Sequence, residues 1–465
     1  MSAAPENVGI VRWGVYIPRA RLPLKAPAAD GRPVPERAVA GYDEDSVTMG
    51  VAAARDCLNG MDRDPVDLVL FATTTAPFAE KQSAALIAAA LTLPAGVRSA
   101  DITGSTRAGS EALLHACAAV GSGTARAVLV VAADCRMAAP GSGRESQLGD
   151  AAVAFLIQAD PLAVLDAQHT ARDSLLDVWR ASGDRFVHGW EDRFVNLHGY
   201  REPLLPLLQN AVQAGSVQHL ALPAPDARAQ REMAASLKLP DACLVPSLFD
   251  KVGHCGAAFA PLLLVAALER AAEGDTILLG DYGDGASALR WRCVRAARRR
   301  RLPAALERRR TITDYRWYLK SRDLWPVEYP PQPDPGIPAT VHYRERAEDL
   351  GLTGQVCRCG THQFPRGRIC QRCGEQDQFQ PVHYAEQKGR IVTFTHDAFF
   401  PSPEPPNSVA VVEVNQGPRI YMQVADASPD QVEVDLPVRF VFRCIHRSGG
   451  KPNYFWKCVP AGGEA

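Results

Sequence analysis

Apolar and polar positions along the first two thirds of the chain switch between two periods. Short runs rich in β-branched and large apolar residues, VDLVLFATT (66–74), ARAVLVVAA (125–133), VAFLIQA (153–159) and DTILLGDYG (275–283), predict buried strands. Between them, SVTMGVAAARDCLNG (46–60), SAALIAAALTL (83–93), GSEALLHACAAVGSG (109–123) and GAAFAPLLLVAALERAAEGD (256–275) predict helices whose small residues permit close packing. Strand and helix in alternation imply an α/β sheet covered on both faces.

The pattern breaks after Val294. Residues 295–350 pass through arginine runs into PVEYPPQPDPGIP (326–338), whose prolines suit neither helix nor central strand and predict an extended connector. Beyond residue 380, GRIVTFTHD (389–397), SVAVVEVN (408–415), RIYMQVAD (419–426) and LPVRFVFRC (436–444) are short β-runs separated by turn residues, the spacing of a small barrel.

A length of 465 residues, 46% of them hydrophobic and 22% charged, fits two or three globular domains. The formal net charge of −1 removes a global case for nucleic-acid binding. Arg298–Arg301 and Arg308–Arg310 are local runs, read as solvated linker surface with a ligand site as the alternative. No stretch approaches the roughly 18 to 20 apolar residues of a membrane span, and MSAAPENVGIVRWG lacks the pattern of a secretion signal, so a cytoplasmic protein is expected. Cys57, Cys117, Cys135, Cys243, Cys255 and Cys293 are scattered without a disulfide framework, as a reducing compartment allows.

Four other cysteines cluster. Cys357, Cys359, Cys370 and Cys373 in VCRCGTHQFPRGRICQRCGEQ offer two close pairs of soft ligands able to converge on a tetrahedral Zn²⁺. Gly360 and Gly374 follow the pairs and suit the turns of a zinc knuckle. Four thiolates close the coordination shell, so this zinc is structural rather than catalytic.

ADITGSTRAGSEALL (100–114) reads as an apolar approach, a small-residue turn and a helix start, a common mount for a nucleophile, yet the turn holds neither cysteine nor histidine. VGHCGAA (252–258) is a second small-residue turn and does carry both.

A cysteine ribbon followed by a small barrel resembles the ribbon-plus-OB-fold family that accompanies thiolases and acyl-CoA synthases. GIVRWGVYIPRARL (9–22), GYDEDSVTMGVAAARDCL (41–58), FATTTAPFAEKQSAA (71–85) and VGHCGAAFAPLLL (252–264) are similar to the 3-hydroxy-3-methylglutaryl-CoA synthase branch of the thiolase superfamily. The resemblance implies a five-layered αβαβα fold with halves at 1–165 and 166–295, a connector at 296–350, a rubredoxin-like zinc ribbon at 351–380 and an OB-fold at 381–465. It further implies a homodimer acting on an acyl-CoA. Laid on this sequence, the family's nucleophilic cysteine falls on Thr106, its acid near Thr74 and its histidine near Pro223, so none of the three is retained.

These losses argue against the usual cysteine thioester, because a threonine hydroxyl without a base is a poor nucleophile. Aldol or retro-aldol chemistry on a β-hydroxyacyl-CoA tolerates the loss, since it needs an oxyanion site and a group that moves the β-hydroxyl proton. In this reading His254 helps form the oxyanion site, Cys255 or Tyr282 moves the proton, and the Thr106 turn supplies backbone N–H groups and a hydroxyl. The alternatives are a partner-dependent subunit that scaffolds a separate thiolase, and a conventional synthase or acyltransferase using Cys117 or Cys135.

Other candidates carry weaker signals. Arg185, Arg193 and Lys251 are cationic candidates for coenzyme A phosphates, and His198 or Tyr200 in WEDRFVNLHGY (190–200) for substrate contact or an amphipathic cap. YDEDS (42–46) reads as a helix cap rather than an acid–base cluster, and GDYGDGASA (280–288) as a turn at the site floor from which Asp284 also reaches. The barrel lacks a basic groove lined with stacking aromatics, so it is read as a docking element and not a nucleic-acid module.

Overall fold

The structure, a computed structural model, describes residues 7–25, 34–325, 336–400, 402–415 and 417–462. The described residues form two compact units: those up to Ala40, Asp45–Ala85 and Leu93–Thr313 make the first, and Gly41–Glu44, Leu86–Thr92 and those from Asp314 on the second.

The first unit is built on nine strands: β1 (Val8–Tyr16), β2 (Leu68–Ala72), β3 (Arg98–Ile102), β4 (Val128–Asp134), β5 (Ala151–Ala159), β6 (Ala163–Arg172), β7 (His219–Ala221), β8 (Thr276–Tyr282) and β9 (Gly285–Cys293). They run in the order β7-β8-β9-β6-β1-β5-β4-β2-β3. The order hides a repeat. In one half β2 and β4 are parallel, and β4, β5 and β1 follow antiparallel. In the other half β7 and β8 are parallel, and β8, β9 and β6 follow antiparallel. The halves join through a short β1–β6 pairing at Gly9 and Ile10. The counterpart of β3 in the second half is reduced to a single parallel bridge, Leu220 of β7 with Leu244.

Helices fill the space around and between these halves. α1 (Ser46–Leu58) packs on β1, β5 and β4, and α3 (Glu202–Gln213) on β9, β6 and β8. Between the half-sheets lie α2 (Ala108–Gly121) and α4 (Phe259–Leu268), which touch each other. This is the αβαβα layering, and every residue of α4 is buried because sheet or helix faces it on all sides. Gly109 sets the approach of the central pair: a Cβ there would stand 2.2 Å from the Ala257 carbonyl oxygen and 2.7 Å from Pro261 Cγ. The YDEDS acids do not form an acid–base cluster. Asp45 caps α1 in a reciprocal capping box with Thr48, and Asp43 is buried against the Lys457 ammonium at 2.8 Å.

The segment expected to be an extended connector is partly helical, at Leu302–Glu307, Tyr315–Ser321 and Ala339–Gly351; residues 326–335 lie outside the described residues. Nor are its arginines all solvated linker. Arg301 pairs with Asp56 at 3.0 Å and Arg309 with Glu36 at 2.7 Å, and the Arg301 N–H donates to Glu269. Local partners override the composition signal there.

In the second unit Thr353–Cys357, His362–Gln363 and Phe379–His383 form a three-stranded sheet carrying the clustered cysteines. Gly360 and Gly374 adopt φ of +83° and +76°, the left-handed conformation their turns require. Lys388–Asp397, Asn407–Val414, Arg419–Gln423, Pro437–Ser448 and Lys451–Pro460 form a five-stranded antiparallel sheet. A bridge between Val424 and Cys458 brings its outer strands together and curls the sheet into a barrel. No helix of the described residues is long and apolar enough to cross a membrane.

The four sulfurs of Cys357, Cys359, Cys370 and Cys373 lie within 4.8 Å of one another, with Cys357–Cys373 at 3.7 Å and Cys359–Cys370 at 3.6 Å. A tetrahedron with Zn–S bonds of about 2.3 Å has edges of roughly 3.8 Å, so the donor set fits zinc despite the C-x-C spacing of the first pair.

Three expectations follow. Gly109→Ala forces the central helices apart and lowers stability by about 1–3 kcal/mol, read by thermal or urea unfolding. The purified chain carries close to one zinc, which Cys370→Ser releases and Cys57→Ser does not, measured by elemental analysis. The third concerns Asp281, whose carboxyl accepts from Ser110 Oγ at 2.5 Å and is pushed by burial from an ordinary 3.8 up to about 7. The folded state therefore holds a proton that the unfolded state releases, and stability falls as pH rises from about 4 to about 7. Asp281→Asn removes this loss, so its melting temperature gains on the wild type between pH 5 and pH 8; parallel profiles would show that Asp281 folds as a charged group.

Candidate active site

The start of α2 is stapled to the β8–β9 hairpin. Thr106 Oγ1 donates to the Tyr282 carbonyl at 3.1 Å, Arg107 Nε to the Gly283 carbonyl at 3.2 Å, and Arg107 Nη1 to Ser287 Oγ at 2.6 Å. Gly283 is needed at this crossing: a Cβ on it would stand 2.5 Å from Thr106 Oγ1, and its φ is +137°. These contacts hold Thr106 in place and commit its hydroxyl proton to a carbonyl.

The turn carrying His254 is fixed by a different backbone crossing. His254 N–H donates to the Gln147 carbonyl at 2.8 Å, and Gly149 N–H returns a bond to the His254 carbonyl at 3.1 Å. A Cβ on Gly149 would lie 1.8 Å from the Val252 oxygen, which accounts for glycine in the GDAA turn. The imidazole faces Tyr282, with Nε2 3.2 Å from Oη, while Nδ1 accepts the Gly256 N–H at 3.1 Å. Burial, with the charge of Arg136 second, pulls the His254 pKa down to about 3. The ring is neutral, and because Nδ1 is an acceptor its proton sits on Nε2 and points at Tyr282.

Tyr282 therefore receives a hydrogen bond and keeps its own O–H to donate. Its ring packs edge-on against Tyr200 at 4.8 Å, and burial raises its pKa while Arg136 opposes the rise. Thr73, Thr74, Thr106, Arg136, His254 and Tyr282 all line one cleft of about 480 Å³ within the first unit. Asp284 joins them from a left-handed position, φ +50°, between two glycines. No cysteine is among the described residues that line it.

The positions matched to the family's acid and cysteine thus share this cleft, but their hydroxyls are engaged. Asp134 gathers the TTT run: it accepts from Thr73 Oγ1 at 2.9 Å, Thr74 N–H at 2.7 Å, Thr74 Oγ1 at 2.9 Å and Thr75 Oγ1 at 2.8 Å. Pro223 is not part of the lining; Pro225 and Asp226 from the same turn are.

Several expected residues stand elsewhere. Cys255 is fully buried outside the cleft lining, donates to the Gly253 carbonyl at 3.2 Å and is pushed by burial well above an ordinary thiol, so the structure does not bring it to the cleft as the sequence led one to expect. Cys117 is buried and pushed up to about 12 by the same cause, and neither it nor Cys135 lines the cleft. Arg185, Arg193 and Lys251 are exposed and absent from the lining, where Arg136, Arg144 and Arg180 appear instead. The signal for Arg136 was its place two residues past the carboxyl end of a parallel strand, where ligands of α/β sheets bind. From WEDRFVNLHGY the cleft takes Asp192, Val195 and Asn196; His198 pairs with Glu202 at 2.8 Å, and Tyr200 backs Tyr282 from a π-helical turn.

Comparison with known proteins bears on this geometry. The family model for the "ChsH2, C-terminal OB-fold domain" matches residues 382–443. Hydroxymethylglutaryl-CoA synthase of Pyrococcus furiosus is 28% identical over 339 residues, covering 68% of this chain and 96% of that protein. The Aeropyrum pernix enzyme of the same name is 30% identical over 303 residues, 61% of this chain and 84% of that protein. Among solved structures, MvaS in complex with 3-hydroxy-3-methylglutaryl coenzyme A has the same fold, with a TM-score of 0.60 at 22% identity over 70% of this chain and 95% of that one. The chain belongs to the hydroxymethylglutaryl-CoA synthase family, on a thiolase-type fold, and adds to it a four-cysteine cluster and a C-terminal OB-fold domain.

Proposed function

We propose that this protein makes or breaks a carbon–carbon bond in an acyl-CoA by aldol or retro-aldol chemistry on a β-hydroxyacyl thioester, without a cysteine acyl-enzyme. The observation that carries the reading is Tyr282: a phenol in the cleft, backed by a neutral imidazole, where the lining holds no cysteine. The kinship with synthases whose solved relative holds 3-hydroxy-3-methylglutaryl coenzyme A supports an acyl-CoA substrate. None of the twelve cysteines forms a disulfide, which suits a cytoplasmic setting.

In the bond-forming direction the electron pair of a thioester enolate forms the Cα–Cβ bond, and the acceptor carbonyl oxygen takes the proton of Tyr282 Oη. The negative charge moves from the enolate to the phenolate, which His254 Nε2–H steadies. Cleavage starts with Tyr282 Oη deprotonated to solvent: the β-hydroxyl proton passes to this phenolate, the Cα–Cβ pair returns to the enolate, and Cα then takes the same proton from Tyr282, restoring the phenolate; in the bond-forming direction the phenolate first removes that Cα proton. Here His254 acts through Tyr282 rather than as the direct oxyanion donor that the sequence suggested. Thr106 positions the hairpin that carries Tyr282.

A second reading rests on the engaged threonines. With the acid and cysteine positions occupied by Thr74 and Thr106, the chain would hold a separate thiolase and pass it an acyl-CoA, with the ribbon and barrel as its docking surface.

Turnover of β-hydroxyacyl-CoA by the purified chain, with and without a co-expressed thiolase, separates the readings. We expect turnover by the chain alone, and a fall in kcat of roughly 100-fold or more in Tyr282→Phe with acyl-CoA affinity retained. Activity seen only in the mixture, and untouched by Tyr282→Phe, establishes the scaffold. An acyl thioester mapped to Cys117 or Cys135 by mass spectrometry restores the conventional synthase.

A further inference from the structure

Arg136 is a cation that the mechanism above leaves without a task. It follows β4 by two residues and lines the cleft beside His254 and Tyr282, whose ionisation its charge influences. Room is made for it: a Cβ on Gly256, φ +54°, would stand 2.8 Å from Arg136 Cδ and 2.2 Å from Asp134 Oδ2. Burial lowers its own pKa. A guanidinium placed so needs an anion or several acceptors to offset its lost hydration.

No direct contact supplies one. Among the described residues the Arg136 guanidinium makes no hydrogen bond and no salt bridge, and Asp134 acts on it only through space, opposing the effect of burial. The nearest carboxylate, Asp134, has its oxygens directed at the three threonines and at Ala257 N–H, 2.8 Å away. The cleft's other guanidiniums are engaged: Arg144 lies 3.6 Å from Asp192, and Arg180 donates to the Thr74 and Asp184 carbonyls. Two neutral donors beside it are engaged too, since Thr106 Oγ1 serves the Tyr282 carbonyl and His254 Nε2–H serves Tyr282 Oη.

We propose that Arg136 is a catalytic residue whose guanidinium receives the negative oxygen of the thioester enolate as the carbon–carbon bond beside Tyr282 forms or breaks. This rests on the aldol reading. As the enolate pair forms the Cα–Cβ bond, the charge leaves the thioester oxygen and arrives on Tyr282 Oη, also within the field of Arg136. One fixed cation thus faces the charge at both ends of its transfer, with no reorganisation. A donor aimed at such an oxygen is worth roughly 100- to 1000-fold in kcat.

The test uses the full-length protein and two isosteric ligands, the carboxymethyl thioether of coenzyme A, whose carboxylate mimics the enolate oxygen, and the neutral carbamoylmethyl thioether. By calorimetry the wild type prefers the carboxylate by roughly tenfold or more, a charge-assisted contact. Arg136→Gln abolishes the preference while the neutral ligand binds as before, which also reports a folded cleft; Arg136→Lys keeps part of it. In turnover Arg136→Gln lowers kcat and leaves KM near its wild-type value. Equal affinity for the two ligands in the wild type, or a preference that survives Arg136→Gln, overturns the proposal. A wild type that shows the preference but never turns over keeps the anion site and removes the aldol reading; turnover without the preference does the reverse.

Discussion

The site depends on the close approach of the two central helices. Gly109 on α2 lies beneath the Ala257 carbonyl and Pro261 at the entry to α4, closer than any side chain permits. Each helix carries a turn at its N-terminal end, 104–107 on one and 252–258 on the other, and the approach brings both to one cleft. Ser110 and Arg107 then reach the β8–β9 hairpin, so Tyr282 is held from the helix of the opposite half. The two halves are one repeated pattern of strands, and the cleft forms where the repeats face each other.

That assembly changes what the polar side chains can do. The sequence resemblance lays an acid on Thr74 and a nucleophile on Thr106, but a buried hydroxyl finds the nearest strong acceptor. For Thr74 this is Asp134, and for Thr106 it is a main-chain carbonyl. The same requirement turns the His254 proton toward Tyr282, because the Gly256 N–H already occupies Nδ1. Among the groups left facing the cleft are the Tyr282 phenol and the Arg136 guanidinium, the pair on which the proposed proton transfer and oxyanion site rest.

In the second unit point contacts fix which segments lie together. The four cysteine sulfurs gather within 4.8 Å of one another, two of the pairs at about the edge length of a zinc tetrahedron, and Asp43 and Glu44 neutralise the buried Lys457 and Arg443. Buried ions of this kind are costly to separate and so fix which segments lie together more than they add to stability.

Much of this was legible in sequence. The four strands and four helices read from periodicity correspond to β2, β4, β5 and β8 and to helices starting at Ser46, Ser83, Ala108 and Phe259. The two glycine turns and the cysteine cluster were visible because each is local: strand period, glycine at positive φ and ligand spacing are written within a few residues. The helices among the arginine runs were not, since proline and charge mask segments whose order comes from distant partners such as Asp56 and Glu36. Nor was the division of labour within VGHCGAA, where adjacent His254 and Cys255 read alike but one side chain faces the cleft and the other is buried outside its lining. Sequence by itself determined the layers, the turns and the soft-metal ligands. Only the tertiary structure decided which hydroxyls were already bound, which histidine nitrogen held the proton, and that Arg136 faces Tyr282 unpartnered, because a hydrogen bond's partner is set by packing across the fold and not by neighbours along the chain.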